Sequence, residues 1–152
     1  MFAKVKPAMS IDYCMMDSFV VVTPYDVNTL EAVCAVLEAI IVDPGFNPPT
    51  GILFDARHTT YGPPTEELES LSEWLAKRDA LRLSRWAIVA EIDTLLYGLT
   101  RMFCCLAESL GIQAEPFSEF AKAREWLLSE HGDHFNGTCA PRRAFTRVCE
   151  VS

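Results

Sequence analysis

The chain has 152 residues, half of them hydrophobic and 22% charged, which fits one domain and excludes an intrinsically disordered polymer. Thirteen Lys and Arg against 21 Asp and Glu leave a formal charge of -8, which repels a phosphate backbone and argues against nucleic acid as a partner. Residues 131–152 carry three Arg against Asp133 and Glu150, a net of +1, so residues 1–130 carry -9 and a tail docked on the acidic body is expected.

Met9 to Met16 and Phe19 to Thr23 are two strand-forming runs separated by Asp17-Ser18, the spacing of a tight hairpin. Pro24 is expected to stop the second strand, and Asn28 with Glu31 three residues on has the pattern of a helix cap. Leu30, Val33, Cys34, Leu37, Ile40 and Ile41 form the buried stripe of the helix that follows. Val27 to Val42 is the longest apolar helix candidate, but Glu31 and Glu38 interrupt it and it is too short to span a bilayer. No export-type apolar core lies between Met1 and Ser10.

Asp43-Pro44-Gly45 breaks this helix, and the Asn47-Pro48-Pro49 loop leads into a buried strand, Gly51-Ile52-Leu53-Phe54-Asp55. Pro63-Pro64-Thr65-Glu66-Glu67 starts a second helix, because proline is tolerated in a first turn and the helix dipole favours acids there. Leu68, Leu71, Trp74 and Leu75 are its inner face. The strand Arg85–Glu91, built on Trp86-Ala87-Ile88-Val89-Ala90, passes through Asp93 into a helix from about Thr94. Leu95, Leu99, Met102, Phe103, Leu106 and Leu110 give that helix its apolar face, and Gly111 closes it. Gln113 to Phe117 is a short last strand, and Ser118 is expected to cap a final helix through Trp126 and Leu127.

This order predicts an α/β fold: one domain over 8–130, with a mixed sheet of about five strands covered by about four helices. The first hairpin is antiparallel and the rest parallel. In the tail, Ala144-Phe145-Thr146-Arg147-Val148 offers an edge strand or a docking segment through Phe145 and Val148. Cys14, Cys34, Cys104 and Cys105 fall in apolar patterns, where a free thiol acts as a small hydrophobe, so the expected setting is a reducing cytoplasm. Cys104 and Cys105 point apart on one helix, one to the core and one to the surface.

Gly51-Ile52-Leu53-Phe54-Asp55-Ala56-Arg57, Pro64-Thr65-Glu66-Glu67-Leu68, Trp86-Ala87-Ile88-Val89-Ala90 and above all Tyr97-Gly98-Leu99-Thr100-Arg101-Met102-Phe103 share one context. They resemble the SpoIIAA-like proteins of the STAS superfamily, small bacterial domains, and Ala123-Arg124-Glu125-Trp126-Leu127 is similar to their closing helix. The resemblance implies a regulatory or ligand-binding module rather than an enzyme. In anti-sigma factor antagonists of this superfamily, a serine in an Asp-Ser-Ser-Gly type turn is phosphorylated to break partner binding. Here the corresponding stretch, Asp55 to Gly62, has no such serine motif and leaves Thr59 and Thr60 as substitutes.

Ligands of open α/β sheets gather beyond the carboxyl ends of the parallel strands. Arg57, His58, Thr59, Thr60 and Tyr61 supply the cationic, titratable and hydroxyl groups of a carboxylate or phosphate site there; the alternative is an exposed loop tied down by its own polar groups. Tyr97 and Arg101, four residues apart, share a helix face on either side of Gly98 and can act together on a partner; otherwise Tyr97 covers the core and Arg101 pairs with Glu108 or Asp93. The Arg57–Tyr61 loop with Tyr97 and Arg101 is expected to form one recognition surface. Asp55 and Glu91, as strand-end acids, are caps or solvated groups before they are an acid–base pair. His131, Asp133, His134 and Cys139 match no zinc spacing and read as a solvated tail.

The expected function is a non-enzymatic interaction module for a protein partner or its own copy, including a homodimer, with no cofactor and no metal. The alternative is a carrier or sensor of a small apolar or amphipathic ligand such as a lipid.

Overall fold

Two runs rich in β-branched and aromatic residues, Ser10–Met15 (β1) and Phe19–Tyr25 (β2), pair antiparallel, with Tyr13 opposite Val22. Gly51–Asp55 (β3), Trp86–Val89 (β4) and Ala114–Phe117 (β5) follow in parallel, giving a sheet ordered β1-β2-β3-β4-β5. The helices are Leu30–Ile41 (α1), Thr65–Ala76 (α2), Asp79–Arg82 (α3), Leu95–Ser109 (α4) and Phe120–Leu128 (α5). The computed structural model describes residues 10–16, 18–26, 29–47, 50–60 and 62–129; the expected tail segment Ala144 to Val148 lies outside them.

Strand alternation divides the core in two. Val20, Val22, Ile52, Trp86 and Ile88 face the side covered by α1, α2 and α4, while Phe19, Val21, Leu53, Ala87 and Val89 meet Ala123 and Leu127 of α5. Ile52, Leu53, Phe54, Ile88 and Val89 thus occupy the central strands, as expected from their apolar runs. At Gly51 a Cβ would stand 2.8 Å from Leu127 Cδ2, so the missing side chain lets α5 seat on the start of β3.

Local signals set the helix ends. Thr94 accepts from the Tyr97 N–H at 3.1 Å, and Gly111, at φ +86°, ends α4 in a conformation that favours glycine. Cys104 is buried and Cys105 exposed, as their adjacent positions predicted; burial pushes the Cys104 thiol up to about 12.

Four details differ from the sequence reading. Strand β2 continues through Pro24 to Tyr25, because the β3 partners cover only Phe19 to Val22. The Asp26 N–H points to the β3 side, donating to the His58 carbonyl at 3.0 Å; Pro24, two residues earlier, has its missing N–H on that same side, where no ladder remains. The cap of α1 is Thr29, whose hydroxyl accepts from Ala32 N–H at 3.1 Å; Asn28 lies outside the described residues. Ser118 does not cap α5, since Glu119 holds the cap position without a side-chain bond. Helix α3, a fifth helix, is too short to show a period in the sequence, yet its Leu81 carbonyl accepts the buried Trp86 indole N–H at 3.0 Å.

Candidate functional site

The loops after β2, β3 and β4 meet at the carboxyl ends of the strands, where α/β sheets hold their ligands. Two non-glycine residues there have left-handed backbones, Asp26 at φ 55° and Asp93 at φ 70°, the kind of strain that persists where surrounding contacts enforce it. The contacts at Asp26 are visible. Its carbonyl accepts from the Thr59 hydroxyl and from the Thr60 N–H, pinning the loop after β3 to the end of β2.

That loop divides between two faces. Arg57 donates from Nε and Nη2 to the two oxygens of Asp55, each at 2.8 Å, and its backbone N–H adds a third bond at 3.2 Å. These bonds hold the buried Asp55 carboxylate in place and, ahead of a contribution from Glu91's charge, push the Arg57 guanidinium above its usual range. The Arg57 head lies 5.5 Å from the Phe120 ring centroid, and His58 sits 5.7 Å from the Tyr25 ring, with its Nε2 3.8 Å from Asp55. Together with Arg124 of α5 and Asp12 and Cys14 of β1, they line an open cleft of about 570 Å³. Asp55 is therefore committed to Arg57 rather than set against Glu91.

Thr59 lines the other face. There a pocket of about 110 Å³ lies between the sheet and helices α1, α2 and α4. Phe54, Trp86 and Ile88 contribute from the strands, Leu30, Val33 and Leu37 from α1, Leu68 and Leu71 from α2, and Leu96, Leu99 and Phe103 from α4. Its described lining holds one titratable group, Glu67, and two hydroxyls, Thr59 and Thr100.

The expected single recognition surface is divided by this arrangement. Arg57 and His58 line the α5 cleft and Thr59 lines the apolar pocket, while Tyr97 and Arg101 line neither. Tyr97 is half-buried, Arg101 is exposed, and no ion pair of Arg101 with Glu108 or Asp93 is present among the described residues. The far end of the loop does reach α4: a Cβ on Gly62 would lie 3.4 Å from Leu99 Cδ1. Tyr61, and the candidate donors His131, Asp133, His134 and Cys139, lie outside the described residues. Among those described, no three His, Cys, Asp or Glu side chains cluster to hold a metal. The apolar pocket itself was missed in the sequence. Its signal was the surplus of leucines at helical spacing on facing helices, which is the same signal as ordinary core.

The order of strands and the placement of helices can be compared directly with solved structures. An uncharacterised protein of the DUF3478 family from Shewanella loihica PV-4, with a SpoIIAA-like fold, superposes with a TM-score of 0.51 over 84% of this chain and 98% of that one. The chain has a SpoIIAA-like fold. Identity to that protein is 17%, so the likeness carries the fold and no activity. No protein-family profile matches the chain, and no curated protein matches it significantly. No described helix of this SpoIIAA-like domain is long and apolar enough to cross a membrane.

Proposed function

We propose that this SpoIIAA-like chain is a non-enzymatic binding module that holds a small apolar or amphipathic molecule between α1, α2 and α4. The observation that carries the reading is the apolar pocket of about 110 Å³. Its size is of the order of the roughly 150 Å³ apolar cavity that takes up benzene. A non-enzymatic role is supported by Asp55, whose two oxygens are both occupied by Arg57. The test is calorimetric titration of the purified chain with benzene and toluene, together with native mass spectrometry of freshly prepared protein. Saturable binding or a retained small molecule is expected; absence of both would overturn the proposal.

A second reading, recognition of a protein partner or a second copy of the chain, is supported by the start of α4. Leu95 is 77% and Ile92 58% exposed, close in sequence to Tyr97 and to Arg101, which has no ion pair among the described residues. Native mass spectrometry reads the oligomer in the same experiment.

A further inference from the structure

We infer that the ligand of the α1–α2–α4 pocket is a neutral molecule with one hydrogen-bonding group, of the phenol or short-alcohol class, and that Thr100 is the residue that receives it. The inference rests on the proposed ligand-binding role and goes on to name the ligand's chemistry.

Thr100 lies in α4 and is 5% exposed, yet its hydroxyl has no hydrogen bond among the described residues. Buried hydroxyls are ordinarily satisfied, and a threonine in a helix commonly bonds back to the carbonyl one turn earlier. Two buried serines here do so: Ser72 within α2 donates to the Glu69 carbonyl at 2.9 Å, and Ser84, two residues past α3, to the Ala80 carbonyl at 2.8 Å. Thr100 instead shares the pocket with Leu96 and Phe103, at the spacing that places all three on one helix face.

The other polar groups of the lining are engaged. The Thr59 hydroxyl donates to Asp26, the Trp86 indole to Leu81, and Glu67 has an interaction of its own. Water is a poor occupant for the remaining hydroxyl, because a buried water needs two to four polar partners and these walls are apolar. A charged ligand is disfavoured as well: no cation is among the described lining residues to meet an anion, and the one carboxylate among them is already in use. What fits is an apolar body of about four to six heavy atoms, scaled down from benzene in a somewhat larger cavity, with one neutral oxygen or nitrogen directed at Thr100.

Phenol and toluene have nearly the same shape and differ in a hydroxyl against a methyl, so they separate the two layers of the argument. The experiment is calorimetric titration of both into the full chain, wild type and Thr100→Val, with thermal melts of the unliganded proteins. Thr100→Val replaces the hydroxyl by a methyl and should leave the unliganded melting temperature unchanged or raised, since no hydrogen bond is lost. Phenol should bind the wild type, weaken about tenfold or more in Thr100→Val, and recover in Thr100→Ser, while toluene binds Thr100→Val at least as tightly as the wild type. Phenol and toluene affected alike by Thr100→Val would overturn the role of Thr100 and leave the apolar pocket standing. A clear loss of unliganded stability in Thr100→Val would show that the hydroxyl has a structural partner, and would overturn it too. Failure of the wild type to bind either probe would remove both readings.

Discussion

Arg85 is the side chain whose removal tests the fold most sharply. Its Nη2 donates to the Leu127 carbonyl at 2.7 Å and the Ser129 carbonyl at 2.9 Å, and its Nη1 to the Trp126 carbonyl at 3.1 Å. The guanidinium also stands 5.0 Å from the Trp126 ring centroid. One cation thus closes the carboxyl end of α5 from the foot of β4, and burial lowers its proton affinity below the usual arginine value. Each charge-assisted bond contributes about 1.5–3 kcal/mol before the guanidinium's desolvation is counted, and the helix dipole adds about 0.3–1 kcal/mol. Desolvation offsets much of that sum, at several kcal/mol for a buried ion. Arg85→Met, which keeps the apolar stem but takes the charged donor from the Leu127 and Ser129 carbonyls, while the Trp126 carbonyl keeps the Ser129 hydroxyl and N–H, should therefore cost about 2–4 kcal/mol. Arg85→Lys should recover less than half, because one ammonium cannot reproduce a planar fork. Urea unfolding followed by tryptophan fluorescence reads both variants. A loss under about 1 kcal/mol for Arg85→Met would mean that α5 is held by Ala123 and Leu127 alone and that the capping argument fails.

Leu53 is 0% exposed in the central strand, so Leu53→Asp should abolish cooperative folding; a soluble variant melting like the wild type would contradict its place in the sheet. Burial, with Glu108's charge second, raises the Glu115 carboxyl above its usual range. The folded state then holds that proton more tightly than the unfolded chain, so the group's penalty is absent at low pH and appears as pH rises from the ordinary carboxyl value through the raised one. Glu115→Gln should accordingly stabilise the domain slightly at neutral pH, by less than about 0.5 kcal/mol given its partial exposure, and not at pH 3; melts at the two pH values compare them. If α4 recognises a protein partner, Arg101→Ala should weaken that complex by about 1–3 kcal/mol with little change in melting, whereas lost stability with unchanged binding would assign Arg101 to the fold. The described architecture is complete by Leu128, so a chain ended at Glu130 should still unfold in one cooperative step; an insoluble product would refute this.

The order of elements was legible because each rests on neighbours in the chain. Short runs of strand-forming residues make β1 and β2, helical spacing makes α1, α2 and α4, and Thr94 and Gly111 fix the ends of α4 within a turn of themselves. The same local rule separated Cys104 from Cys105. What the tertiary structure decided are matters of long-range pairing. Arg85 meets carbonyls about forty residues away and Thr59 bonds to Asp26 on the neighbouring strand's end, and the helices packed on opposite faces of the sheet make the loop expected to form one surface serve two. Periodicity tells a side chain whether it faces inward, but not which helix will lie over it or whether the two will touch. The leucines of α1, α2 and α4 therefore read as uniform core, and only their placement in three dimensions leaves a pocket with the Thr100 hydroxyl in its wall.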